Sequence, residues 1–234
     1  MYRARFSPSF QPPIKTFEGR LQLESSSFNH AKHLKPNILA ATLSLPVKSV
    51  QELIDHARKN PGKLLFASNG NGTPQHLSAE LFKRMTGTQM THVPYKGTQQ
   101  AVTDMIGGQI HLMFDNVQSI GPHVRGGRVR GLAVSSAKRS SSYPELPTVA
   151  ESGVPNFEVV PWSGMVAPGG MSKSIVNRLN AEVNKALATS TVKEKFSVLG
   201  NVPAGGTPEE FAAHIKREVI KWTAVIKDAG IKAD

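Results

Sequence analysis

An α/β fold is predicted by three features of the chain. Apolar strand candidates alternate with amphipathic helices from Leu64 to Val134. The connections between those strands are longer than hairpin turns, and runs such as His111-Leu112-Met113-Phe114 are apolar enough for strands buried on both faces. Together they predict a largely parallel sheet covered by helices. The unit around which the rest is organised runs from Lys63 to Phe82: a buried strand, a glycine-rich turn and a helix.

In order along the chain, residues 1–36 are rich in Ser and Pro with scattered Phe, and Pro12-Pro13 interrupts them. They show no sustained periodicity and no apolar signal-peptide core, and are expected to be poorly ordered. The first strand candidate is Asn37 to Ala41. Ser49-x-x-Glu52 reads as a capping box opening a helix with Val50, Leu53, Ile54 and Ala57 on one face. Leu64 to Ala67 is the central strand, and Ser68 to Gly72 the turn. Thr73 is placed to cap the next helix, with Pro74 at its first position, where a missing N–H costs nothing. Met90 to Pro94, Ile110 to Phe114 and Val129 to Val134 are further strands. Between them lie a helix capped by Thr98 and a short one containing Pro122 that ends near Gly126. After a Ser/Pro-rich loop, Phe157 to Val166 reads as extended. The last third is helical, opening at Ser172, Thr191 and Thr207, the last with a capping box and an N1 proline.

The composition sets limits. At 234 residues the chain has room for a large core. Its mean hydropathy is −0.25, and no apolar run approaches the roughly 18 residues of a membrane helix. With no cysteine, disulfides, thiolate metal sites and cysteine nucleophiles are excluded. The net charge of +11 raises a nucleic-acid reading, but the basic residues are spread along the chain. Only 6% of residues are aromatic, too few for base stacking, so small anionic ligands suit the charge better.

Ligands of a parallel α/β sheet bind beyond the carboxyl ends of its strands. Three such ends are polar here: Ser68-Asn69-Gly70-Asn71-Gly72-Thr73, Tyr95-Lys96-Gly97-Thr98 and Asp115-Asn116. Gly70 and Gly72 permit positive φ, so the first loop can aim amides and a helix dipole at an anion. Asp115 would accept from an ammonium or hydroxyl; taken alone, it reads better as an N-cap. The eight histidines lack metal-ligand spacing, and Asn69 to Gly72 forms neither a Walker A loop nor a dinucleotide fingerprint. No metal or cofactor is expected. Ser68 lacks a nucleophile elbow, and His76 reads as an exposed residue of the first helical turn. Polar amides without a nucleophile–base pair describe a binding site rather than an active site. The alternative is a small α/β enzyme acting on an anionic substrate, with His76 or Asp115 as base.

Several stretches resemble the receptor family of tripartite tricarboxylate transporters, the Bug-type extracytoplasmic solute-binding proteins. They include NGNGTPQHL from Asn69, HVPYKG from His92, LMFDN from Leu112, LPTVAESGVPNFEV from Leu146 and GGTPEEFAAHI from Gly205. The resemblance covers nearly all of residues 36–234. It implies a periplasmic-binding-protein-like fold of the type II, Venus-flytrap kind, with no enzymatic activity. It also implies a small organic carboxylate as ligand, membrane permease subunits as partners, a monomer, no nucleic acid, and a periplasmic location. By the same resemblance the Ser68–Thr73 loop would hold the ligand carboxylate, Tyr95, Lys96 and Gly97 would line the cleft, and Asp115 and Asn116 would meet its other end. Family members begin with a secretion signal and about half of the first domain, neither of which has a counterpart here. The chain is thus expected to be an N-terminally shortened member with impaired export and weaker binding. Its expected organisation is a non-family segment at 1–36, a complete α/β domain at 44–157, and a partial second domain. Residues 37–43 and 158–234 would form the interdomain crossings and the helical remnant.

Overall fold

The computed structural model describes residues 27–29, 36–168, 170–198 and 201–231. In chain order they form β1 (Ser27–Asn29), β2 (Asn37–Ala41), α1 (Val50–Lys59), β3 (Leu65–Ser68), α2 (Pro74–Thr86) and β4 (Thr91–Pro94). There follow α3 (Thr98–Ile106), β5 (Leu112–Asn116), α4 (Val117–Arg125) and β6 (Arg130–Val134). The chain ends with β7 (Met165–Val166), α5 (Lys173–Ala188), α6 (Ser190–Val198) and α7 (Pro208–Asp228). The expectation for residues 1–36 lies mostly outside the described residues; Ser27–Asn29, within it, form a strand that pairs antiparallel with β7.

The main sheet has five strands in the order β4-β3-β5-β2-β6. β3 runs parallel to both β4 and β5, as the βα alternation predicts. β2, however, runs antiparallel between β5 and β6. β4, β3, β5 and β6 therefore all run the same way, as a largely parallel sheet requires, and β2 is the one reversed strand among the five. β2, within the 37–43 stretch expected as an interdomain crossing, is a strand of this sheet. The chain enters and leaves the unit side by side. Asn37 N–H donates to Ser135 Oγ (2.9 Å), Ser135 Oγ donates to Val159 O (2.6 Å), and Val159 N–H donates to Ser135 O (2.8 Å).

Side chains alternate across the sheet with period two. Leu39, Leu112 and Phe114 point into one core with Leu53, Phe82 and Phe157, between the sheet and α1, α2 and α7. Ile38, Ala40 and Met113 point into the other with Val102, Met105 and Ile120, under α3 and α4. Of the C-terminal helices, α7 joins the first core. Val225 of α7 is buried in it with Trp222 packed alongside, and Arg84 Nε pairs with Asp228 Oδ2 at 3.2 Å. The other two bury less: on α5 only Val176 and Leu187 are buried and Ile175 is exposed, and α6 buries no side chain.

Candidate functional site

Because β4, β3 and β5 are parallel and adjacent, the loops after them emerge at one edge, and α2, α3 and α4 all start there. The first loop is shaped by glycines, with φ +119 at Gly70 and +69 at Gly72, conformations that side chains with a Cβ rarely adopt. Its interior is cross-linked. Gly70 N–H donates to Ser68 Oγ (3.1 Å), while the Ser68 and Thr73 hydroxyls lie 2.9 and 2.8 Å from Gly70 O. Gly72 N–H donates to His76 Nδ1 (3.2 Å).

This changes which groups can hold an anion. The amides of Gly70 and Gly72 are engaged within the loop rather than free. The Thr73 hydroxyl is turned to Gly70 and makes no cap bond to α2, although Thr73 sits at the N-cap position. α2 therefore starts without a side-chain cap and without an acidic residue in its first turn. α3 starts the same way, with Gly97 rather than Thr98 at its N-cap. Each start presents the positive end of a helix dipole with uncapped first-turn amides. The two are tied together by Asn69 and Thr98, whose side chains exchange hydrogen bonds of 2.8 and 3.1 Å. α4 differs: Asn116 Oδ1 accepts from Ser119 N–H at 3.0 Å and caps it.

Asp115 lies inside β5 rather than after it, and Asn116, not Asp115, is the cap that α4 required. Asp115 is fully buried, and its Oδ1 accepts from Gln75 Nε2 at 3.1 Å and from Asn116 Nδ2 at 3.5 Å. Asp115 Oδ2 is buried without a hydrogen-bond partner. Burial pushes its carboxyl up, against weaker opposing pulls from Gln75, the Asn116 backbone and Ser119. Above its raised folded pKa, the native state carries a buried charge that the unfolded chain, with a pKa near 3.9, holds at no cost. Folding stability of wild type relative to Asp115→Asn is therefore expected to fall as the pH rises across the range from about pH 4 to about pH 8. Urea unfolding of both proteins across that range measures it; a constant difference would contradict the burial argument.

Tyr95 donates its hydroxyl to Asp104 Oδ2 (2.7 Å), and burial together with this bond pushes its pKa up to about 12. Its part at the edge is its backbone N–H, which donates to Ser68 O at 2.9 Å. Lys96 and Asn71 are exposed there. Gln75 was missed by the sequence reading, and nothing in its own type or spacing marks it; Thr98 lies at the polar end expected but bonds Asn69 instead of capping α3. His76 is a correction: it is buried, not exposed, and stacks on His92 with ring centroids 3.7 Å apart. His92 in turn lies 2.6 Å from Ser68 Oγ. This serine–histidine contact is a brace. Ser68 is fully buried, and its hydroxyl also bonds both the amide and the carbonyl of Gly70.

The profile of the tripartite tricarboxylate transporter family receptors matches residues 29–231. The chain belongs to that family. It is 40% identical over 200 residues to a protein of the tcbD–tcbE intergenic region of Pseudomonas sp. (strain P51), covering 85% of this chain and 60% of that one. The chain thus spans about three-fifths of that relative's length. Among solved structures, it superposes on Rpa4515 of R. palustris, solved with adipate, with a TM-score of 0.74 and 39% identity, covering 88% of this chain and 69% of that one. The periplasmic binding protein BugD gives 0.72 and 31%, covering 90% and 71%. MatC from Rhodopseudomonas palustris, solved with malate, gives 0.70 and 29%, covering 86% and 69%. The fold is accordingly that of the periplasmic solute-binding proteins. Its relatives are binding proteins rather than enzymes.

Proposed function

We propose that this chain is the solute-binding receptor of a tripartite tricarboxylate transporter and takes a small organic carboxylate at the shared edge of β4, β3 and β5. The observation that carries this reading is the pair of uncapped helix starts, α2 and α3, joined by the Asn69–Thr98 bridge. Two positive dipole ends with unused first-turn amides suit a carboxylate, and the loop's glycines leave the approach clear. The Asn69 and Gln75 side-chain amides each carry a second N–H beside the one given to Thr98 or Asp115 and supply donors around it, with Lys96 at the rim. Asp115 acts by orienting Gln75, and its buried Oδ2 accepts from a ligand hydroxyl or ammonium if that side chain swings aside. The adipate and malate held by two structural relatives belong to the same ligand class. The permease of the transporter receives the loaded receptor, in the periplasm.

An NMR titration of the 234-residue chain with adipate, malate, citrate and glutamate tests the site. At least one is expected to move the amides of 70–76 and 97–99 most. Hexane-1,6-diamine, of similar length but cationic, is expected to leave them unmoved. Shifts confined to α5–α7, or an equal response to the diamine, would overturn the assignment.

A further inference from the structure

The first loop leans on a buried cluster that the carboxylate reading does not use. Gly72 N–H donates to His76 Nδ1, which places the ring's proton on Nε2, 3.6 Å from Glu80 Oε1. The opposite face of the ring stacks on His92, which reaches Ser68 Oγ; Phe66 stacks beyond His92 at 5.0 Å. Two histidines thus hold both ends of the loop, Ser68 and Gly72.

We propose that His76 keeps the Gly72 amide in reserve and releases it on taking a proton, so that carboxylate capture at this loop is coupled to protonation. The inference rests on the carboxylate-site reading above. Once Nδ1 is protonated it can no longer accept, and Gly72 N–H is freed beside the uncapped start of α2. A positive charge arrives in the same first turn, adding to the helix dipole that faces the anion. By linkage, a bound carboxylate favours the protonated ring as much as the proton favours the carboxylate.

The groups facing His76 allow this. Burial works to raise the Glu80 carboxyl, but hydrogen bonds from His76 and Lys83 and their charges outweigh it and hold it low. Glu80 is therefore a carboxylate ready to take the His76 Nε2–H as a full ion pair. Lys83 binds the same carboxylate at 2.7 Å, and Arg84 and Asp228 of α7 border the groove beyond it. On the β4 side, burial and then the charges of His76 and Lys83 hold His92 down to about 4, against the pull of Glu80. His92 is thereby held as the neutral ring of the pair. One ring switches, and the other remains a fixed brace.

The experiment follows the Gly72 amide and the His76 ring nitrogens by NMR from about pH 8 to about pH 5, without ligand. The Gly72 amide is expected to move with the His76 titration. His76→Asn offers Oδ1 as an acceptor that cannot titrate, so in that variant the amide should hold its bonded position throughout. Adipate affinity of wild type is expected to rise about three- to tenfold from about pH 8 to about pH 6, and that of the variant to stay flat. A Gly72 amide that ignores the His76 titration would overturn the proposal. So would the same rise in affinity in His76→Asn. If the amide follows the ring but adipate moves nothing at any pH, the carboxylate reading fails and the proton-sensitive latch stands.

Discussion

Thr73→Asp is expected to weaken carboxylate binding about 100-fold while changing folding stability by no more than about 1 kcal/mol. The two effects separate because they draw on the same amides. Thr73 already has the extended backbone of an N-cap, φ −68 and ψ 158, yet its hydroxyl is turned to Gly70 and leaves α2 uncapped. An aspartate there can turn inward and accept from the first-turn amides. That gain of about 1 kcal/mol offsets the lost hydroxyl bond to Gly70. The same carboxylate then occupies the site where a ligand carboxylate would sit and repels it. At about 4 Å and an effective dielectric near 20 the repulsion is about 4 kcal/mol, more than enough for the 100-fold loss. Adipate titrations of the variant and wild type, paired with urea unfolding, read both quantities. Equal affinity in the two proteins would show that the start of α2 does not hold the anion. Thr73→Ser, which keeps the hydroxyl, should bind as wild type does.

The largest effect on stability is expected at Phe114. Its ring stacks on Phe157 at 5.8 Å and lies 6.0 Å from Phe82, which meets Phe157 edge-on at 6.1 Å. All three rings are essentially fully buried, and they join β5, α2 and the segment leaving the α/β unit. Phe114→Ala is expected to cost about 3–5 kcal/mol, the transfer of the ring plus the cavity left behind. Since Phe114 immediately precedes Asp115, relaxation of β5 should also loosen the Asp115–Gln75 bond. Phe114→Leu, which refills most of the volume, should recover more than half of the stability. Chemical denaturation of both variants measures it. A loss below about 1 kcal/mol in the alanine variant would mean that this aromatic cluster is not a principal part of the core.

Local chemistry made much of this protein legible from its residues. Apolar periodicity located the helices and the main-sheet strands, because a segment of 10 or 20 residues must commit one face to a core and shows it. The Thr207–Glu210 capping box and the Ser49 and Ser172 caps were readable because both partners lie within four residues of each other. The motifs around Asn69, His92 and Leu112 pointed to the family for the same reason. The polar ends of three strands could be placed at one edge, since parallel pairing leaves no other arrangement.

What escaped that reading depends on partners distant in sequence. The antiparallel course of β2 follows from its insertion between β5 and β6, more than 70 residues away. Thr73 and Asp115 have the right residue types for caps, but a carbonyl three residues back claimed one hydroxyl and β5 took in the other carboxylate. Nothing local marks His76 as buried. It is enclosed only because register sets His92 opposite Phe66 on the neighbouring strand, and α2 lays His76 on top. The chemistry of the candidate site was written in its loop residues. Which amides the loop keeps and which it offers was decided by how strands and helices pack, because a hydrogen bond made within the fold removes that donor from any ligand.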